Sequence, residues 1–284
     1  MNNYLWLIRR EFWERRAIWI VPAAISGALI LVALFGRTQI ISDAPLESPL
    51  VGKVYLVATG ALFIIIMMLY STLYLLDCLY DDRRDRSVLF WKSLPISDTD
   101  TVLSKLIVAL FAIPLVAFVA ADFTSLIVAF IVSVRARAMI GGSLWEGGDW
   151  LQIQVLWLYV ILTCAVWFLP VAGWCLIVSA WVKRAPMLWS VLPLLVAFLI
   201  EHFFLGTDYF ARVIGARLSL PKYAAAAFHT DSQGSWNPAD SAHSAWQLMD
   251  LGGFVSNPAT WVGLAAGAAM IAVAIQMRIR RCEA

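Results

Sequence analysis

Long apolar runs alternate with short polar ones along this chain. Six runs are long enough to cross a bilayer as helices, which takes about 20 mostly apolar residues. They are Ala17–Phe35, Tyr55–Leu76, Leu106–Val134, Val155–Val182, Met187–Leu205 and Ala259–Met277. The third and fourth exceed what a span needs and are expected to tilt or to project beyond the bilayer. Pro22, Pro114, Pro170 and Pro193 fall inside spans. In a bundle such prolines mark kinks whose freed backbone groups are satisfied by neighbours. The pattern predicts an all-α fold: a polytopic membrane protein forming one transmembrane domain over 1–284.

The segments between spans differ in character. Residues 1–16 read as an interfacial helix, with Leu5, Ile8 and Phe12 on one face and Trp6 and Trp13 beside them. Arg10, Glu11 and Glu14 fall on the opposite, polar face, Leu7 borders it, and Arg9 and Arg16 border the apolar one. Arginines at such a border snorkel to headgroups, which suits a helix lying on the membrane surface. The plainer reading is a charged flank that holds the first span in place. Residues 206–258 form a large outer segment. Within it Tyr209–Phe228 is semi-apolar, Thr230–Ser241 is a turn-rich tip, and Ser244–Phe254 is apolar again.

Composition agrees with this class. Hydrophobic residues make up 62% of the chain and charged residues 14%, against about 45–50% and about 25% in soluble domains. The net charge of +2 gives no reason to expect nucleic acid. The placement of charge says more. With both termini cytoplasmic, inside segments hold fourteen Lys/Arg and outside segments seven. The positive-inside rule therefore places both termini in the cytoplasm, with the bacterial inner membrane as the expected location.

Several chemistries lack their motifs. There is no GxxxxGK[ST] phosphate loop, so any ATP used is hydrolysed by another chain. Neither HExxH nor GxSxG occurs. His229 and His243 share the outer segment with Asp231 and Asp240, but their spacing suits exposed loop histidines better than a metal site, and no metal is predicted. Cys78, Cys164, Cys175 and Cys282 match no zinc spacing and read as buried or incidental thiols. Ionisable side chains within spans are Asp122, Glu201 and His202. Asp122 is expensive in hydrocarbon unless it faces the bundle interior or water. It either lines a substrate path or proton-responsive site, or is a neutral acid bonded to a Ser or Thr of another helix, such as Thr163. Glu201 and His202 lie near the outer end of their span, where a rim position is inexpensive.

The remaining signal is the charged island Asp77–Lys105, read as a cytoplasmic loop between spans two and three. Its charges are interleaved, Asp81, Asp82 and Asp85 among Arg83, Arg84 and Arg86. At its centre lies an apolar block, Val88, Leu89, Phe90 and Trp91, closed by Leu94-Pro95. Proline keeps the preceding residue out of the helical region. Ser97-x-x-Asp100 then resembles a capping box opening the next helix. The pattern is a helix, a short transverse amphipathic helix and a helix.

The run DDRRDRSVLFWKSLPISDTDTVLSK resembles the corresponding segment of ABC-2-type permeases, the membrane subunits of one class of ATP-binding-cassette exporters. Those have an acidic/basic run after the second span, a hydrophobic stretch, a Leu-Pro-hydrophobic-Ser turn, and a Ser-Lys before the third span. The family commonly has Glu and a Gly-Thr pair early in the motif, where this chain has Asp82 and Arg86-Ser87. The interfacial helix, six spans and outer segment extend the resemblance over nearly the whole chain. It implies a cytoplasmic coupling helix docked on a separate ATPase subunit, through Arg83, Arg84, Arg86, Val88, Leu89, Phe90, Trp91 and Leu94. It also implies two ATPase copies carrying ATP and Mg, a second permease subunit, and export of a hydrophobic or amphipathic substrate. This chain would then be a transport subunit without enzymatic activity of its own. The alternatives are an intramembrane enzyme using Asp122 or Glu201, an ATPase-independent secondary transporter, and a membrane scaffold. No internal repeat of the kind found in many secondary transporters is evident.

Overall fold

The computed structural model describes residues 3–36, 48–84, 97–136, 147–218 and 249–282, and among them every regular element is helical. In chain order these are α1 (Asn3–Glu14), α2 (Ala17–Phe35), α3 (Ser48–Arg84), α4 (98–136), α5 (Gly147–Trp167), α6 (Leu169–Trp181), α7 (Pro186–Leu205), α8 (Tyr209–Leu218), α9 (Leu251–Ser256) and α10 (Pro258–Cys282). Six helices are long and apolar enough to cross a membrane: α2, α3, α4, α5, α7 and α10. The chain is a multi-pass membrane protein.

α2 occupies the predicted Ala17–Phe35. α3 does not stop at Leu76. It continues through Asp77–Arg84, so the first two turns of the island are helix rather than solvated loop. The reason is packing on α6. Ser179 Oγ accepts from the Leu79 and Tyr80 amides, each at 3.1 Å, and Leu75, Cys78 and Leu79 are buried in the core. The far side of the island is also helical from Asp98, because Ser97 caps α4 as expected: its Oγ accepts from Asp100 N at 3.0 Å. Only 85–96 of the island lies outside the described residues.

α4 contains a π turn, Val108–Ala112, just before Pro114. Proline removes an N–H and crowds the preceding carbonyl, and a widened turn relieves both. The predicted span Val155–Val182 divides at Phe168 into α5 and α6, next to Pro170. The hydrogen bonds Phe168 N to Cys164 O and Ala172 N to Phe168 O still bridge the break, so this is a kink within one crossing.

The bundle is built around α3, which packs on α4 and α6; α2 packs on α4, and α10 on α6. The α6–α10 contact is the most extensive, and it depends on small residues. A Cβ on Gly173 would stand 2.8 Å from Met270 Cβ, and one on Gly267 2.9 Å from the Leu169 backbone. Without a hydrophobic drive between helices in lipid, such close approach supplies the van der Waals attraction. α2 joins α4 through Thr124 Oγ1, which donates to Ser26 Oγ at 2.8 Å.

Helix α1 departs from the expected amphipathic pattern. Ile8 and Phe12 do pack against the core, and Trp6 and Trp13 are exposed. Leu7 and Glu11, placed on or beside the polar face, are buried as well. Glu11 turns inward because a cation awaits it there.

Candidate functional site

Beside Arg84 and Ser97, where the described parts of the island end and resume, several charges are buried together. Lys105, about two turns into α4, is 1% exposed, and Glu11 is 2% exposed. Lys105 Nζ lies 2.9 Å from Glu11 Oε1 and 3.3 Å from Asp82 Oδ1. Asp82 presents its other oxygen to Arg278 Nη1 at 3.3 Å, and Arg278 Nε donates to Asp98 Oδ1 at 2.9 Å. Tyr74 donates its hydroxyl to Glu11 Oε2 at 2.7 Å, and Arg10 pairs with Glu11 Oε1 at 3.1 Å.

Four helices meet in this knot: α1 through Glu11, α3 through Asp82 and Tyr74, α4 through Asp98 and Lys105, and α10 through Arg278. Both roots of the island's middle stretch, Asp82 before 85–96 and Asp98 after it, are held by one guanidinium. Buried charges are costly unless paired and hydrogen-bonded on all sides. Burial pushes the Glu11 carboxyl up, but Lys105, Tyr74 and Arg10 outweigh it and hold the group below its ordinary value. Alongside, Arg15 Nη2 pairs with Asp81 at 2.7 Å. Burial disfavours that guanidinium's charge, yet Asp81 more than compensates, and its pKa stands above the ordinary value.

Of the island residues expected to contact a partner, Arg83 is half-buried. It donates to the Ser179 and Val182 carbonyls at the end of α6, the second at 2.9 Å, which suits a cation at a helix C-terminus. Arg84 is exposed. Arg86, Val88, Leu89, Phe90, Trp91 and Leu94 lie outside the described residues. So do His229, Asp231, Asp240 and His243. Among the described residues no group of His, Cys, Asp and Glu is placed to hold a metal. Cys78, Cys164 and Cys175 are free and buried.

Asp122 lines a cavity of about 10 Å³ between α3, α4 and α5, with Gly60, Ser125, Gln154 and Trp157. Room of that size suits about one water molecule. Gly60 is there because any Cβ would collide with the Trp157 indole. Among the described residues no Ser or Thr side chain of another helix bonds Asp122. Thr163 donates to Tyr159 O and Val160 O within its own helix, and Ser125 donates to the Asp122 backbone carbonyl. Among the described residues the Asp122 carboxylate has no hydrogen bond or ion pair.

Glu201 serves the next helix. Its Oε1 accepts from Thr207 Oγ1 at 2.9 Å and Tyr209 N at 2.8 Å, and its Oε2 from Phe210 N at 2.7 Å. It caps the first turn of α8. His202 pairs with Asp208 at 2.9 Å in an exposed position.

Sequence reasoning did not pick out Glu11, Asp98 or Arg278. A usable signal was present in Lys105, which stands directly before an uninterrupted apolar run. A cation at that boundary calls for carboxylates at its own depth. Which carboxylates answer is a matter of tertiary contact. No protein-family model, curated protein or solved structure matches this chain.

Proposed function

We propose that this chain is the permease subunit of an ATP-driven exporter, coupled to a separate ATPase through the island between α3 and α4. The observation that carries the reading is the knot at the island's roots. A load on 85–96 acts on Asp82 and Asp98, and the same buried ion pairs reach α1, α4 and α10. A loop that merely joined two spans would need no such linkage to both ends of the chain. The resemblance of Asp81–Lys105 to the ABC-2 segment supports the same reading. In it, Val88–Leu94 sits in a groove of the ATPase, with Phe90 and Trp91 as anchors, because truncating buried aromatic anchors typically costs about 2 kcal/mol or more. Two ATPase copies and a second permease complete the complex, and the cargo is hydrophobic or amphipathic. Helix α1 lies at the membrane interface, 206–258 belongs to the outer side, and both termini are cytoplasmic.

The test is purification from the native membrane with identification of what copurifies, wild type beside Phe90→Ala/Trp91→Ala. An ATPase that accompanies the wild type and is lost from the inserted double variant supports the reading. Equal association and equal substrate-stimulated hydrolysis in both would remove it.

A second reading, ATPase-independent secondary transport, is favoured by the Asp122 carboxylate, without a partner among the described residues, in its water-sized cavity. It predicts substrate movement in vesicles of the purified chain, driven by a proton gradient and collapsed by a protonophore.

A further inference from the structure

The short turn between α6 and α7 lies at the same end of the bundle as the ion knot. α6 ends at Trp181, and the Val182 amide donates to Val178 O at 3.0 Å. The Val182 carbonyl is held by Arg83, and Pro186 opens α7. Ala185 takes a left-handed conformation, φ 54°, to make the reversal. The backbone of the turn is thus pinned at both sides, and it projects Lys183 and Arg184 outward. Both are exposed. Unlike Arg83, Lys105 and Arg278, neither has a hydrogen bond or ion pair among the described residues.

These two cations stand at the rim of an open concavity of about 480 Å³, walled by Trp181, Val182 and Trp189. The two indoles meet edge to face, with ring centroids 5.5 Å apart and planes at 85°. Trp174 Nε1 donates to Ser190 O at 3.1 Å and locks α6 to α7 just beyond. From the concavity, in line with Trp189 along α7, run Leu192, Val196 and Ile200, all exposed.

We propose that this turn is a binding site for an anionic phospholipid, with the phosphate between Lys183 and Arg184 and the acyl chains along Trp189 and the face of α7. The shape is that of an amphiphile: two cations without a partner among the described residues, an aromatic shelf at headgroup depth, then an apolar strip that continues into the hydrocarbon. Basic pockets between membrane helices hold anionic headgroups for this reason, and tryptophan favours the interfacial layer. A soluble protein docked on Lys183 and Arg184 would match the charge but would leave the strip unused. The proposal does not depend on the transport reading.

The test uses the purified full chain in nanodiscs of mixed phosphatidylcholine and phosphatidylglycerol, with retained lipids counted by native mass spectrometry. The wild type should retain phosphatidylglycerol in preference. Lys183→Ala/Arg184→Ala should lower that retention several-fold. Arg280→Ala, an exposed arginine away from the concavity, should leave it unchanged. If the double variant aggregates, Lys183→Gln alone carries the same comparison. No preference in the wild type, or equal retention by the variant, overturns the proposal. Displacement of the lipid by inorganic phosphate would show a free-anion site instead. Loss of a copurifying soluble protein with lipid retention intact would make the turn a protein-docking face.

Discussion

Lys105 and Glu11, ninety-four positions apart, meet at 2.9 Å with both side chains almost wholly withdrawn from solvent. The contact joins the first helix of the chain to the helix that follows the island. Neither charge has water to fall back on, so Lys105 depends on Glu11 and Asp82, and Glu11 on Lys105, Tyr74 and Arg10.

Removing both partners should therefore cost less than the two single losses added together. Lys105→Gln leaves Glu11 and Asp82 without their shared cation, and Glu11→Gln leaves Lys105 with Asp82 alone; loss of one buried partner typically costs about 3–5 kcal/mol. The double variant should cost clearly less than the sum of the singles, since contacting residues are coupled. Thermal unfolding of the three variants in detergent measures this. Additive losses would show that the pair is not a unit.

Acid should loosen the same contact. The folded Glu11 carboxyl titrates below its ordinary 4.5. Its ionised form therefore contributes stability in full above that value, and the contribution disappears as the pH falls through the lower, folded value. The thermal midpoint of the wild type should drop on acidification below pH 4.5 by more than that of Glu11→Gln. Parallel curves for the two proteins would remove Glu11 as the source.

Asp122 invites a test that separates function from folding. Its carboxylate has no partner among the described residues, so Asp122→Asn should leave expression and thermal stability within about 0.5 kcal/mol of wild type. Transport through a path lined by Asp122 should fall in the same variant. Full transport by Asp122→Asn and Asp122→Leu alike would make the acid dispensable, and loss of folding in Asp122→Asn would reveal a structural role.

Glu201 makes the opposite prediction. Its two oxygens hold the first amides of α8, and hydrogen bonds to a charged acceptor contribute about 1.5–3 kcal/mol. Glu201→Ala should speed hydrogen exchange at Tyr209 and Phe210 while leaving the far end of α8 and the knot unchanged. Unaltered exchange at both amides would contradict the cap.

Local patterns made much of this fold legible. The bounds of α2 follow from an unbroken apolar run between Arg16 and Gly36, and the start of α4 from Ser97 and its capping geometry. The kink at Phe168 was implied by Pro170. What local pattern could not give was partnership. Asp77–Arg84 looks like loop by charge, yet Ser179, a hundred positions later, and Lys105 make a helix there tolerable. Glu11 looks like a solvent-facing residue by periodicity, and only the approach of α4 makes it the buried one. Asp122 was legible as an exception, but its lack of a partner among the described residues is a property of three helices together.

Asp82 spends each of its oxygens on a different helix, one on Lys105 and one on Arg278. A neutral substitution there takes one carboxylate from two cations at once, leaving Lys105 to Glu11 and Arg278 to Asp98, and a reversed charge at either cation alone leaves the other arm of the carboxylate still engaged. No single second change restores the balance. Among descendants of this sequence the knot should drift slowly and as a block, with Glu11, Asp82, Asp98, Lys105 and Arg278 inherited together or replaced together by apolar residues.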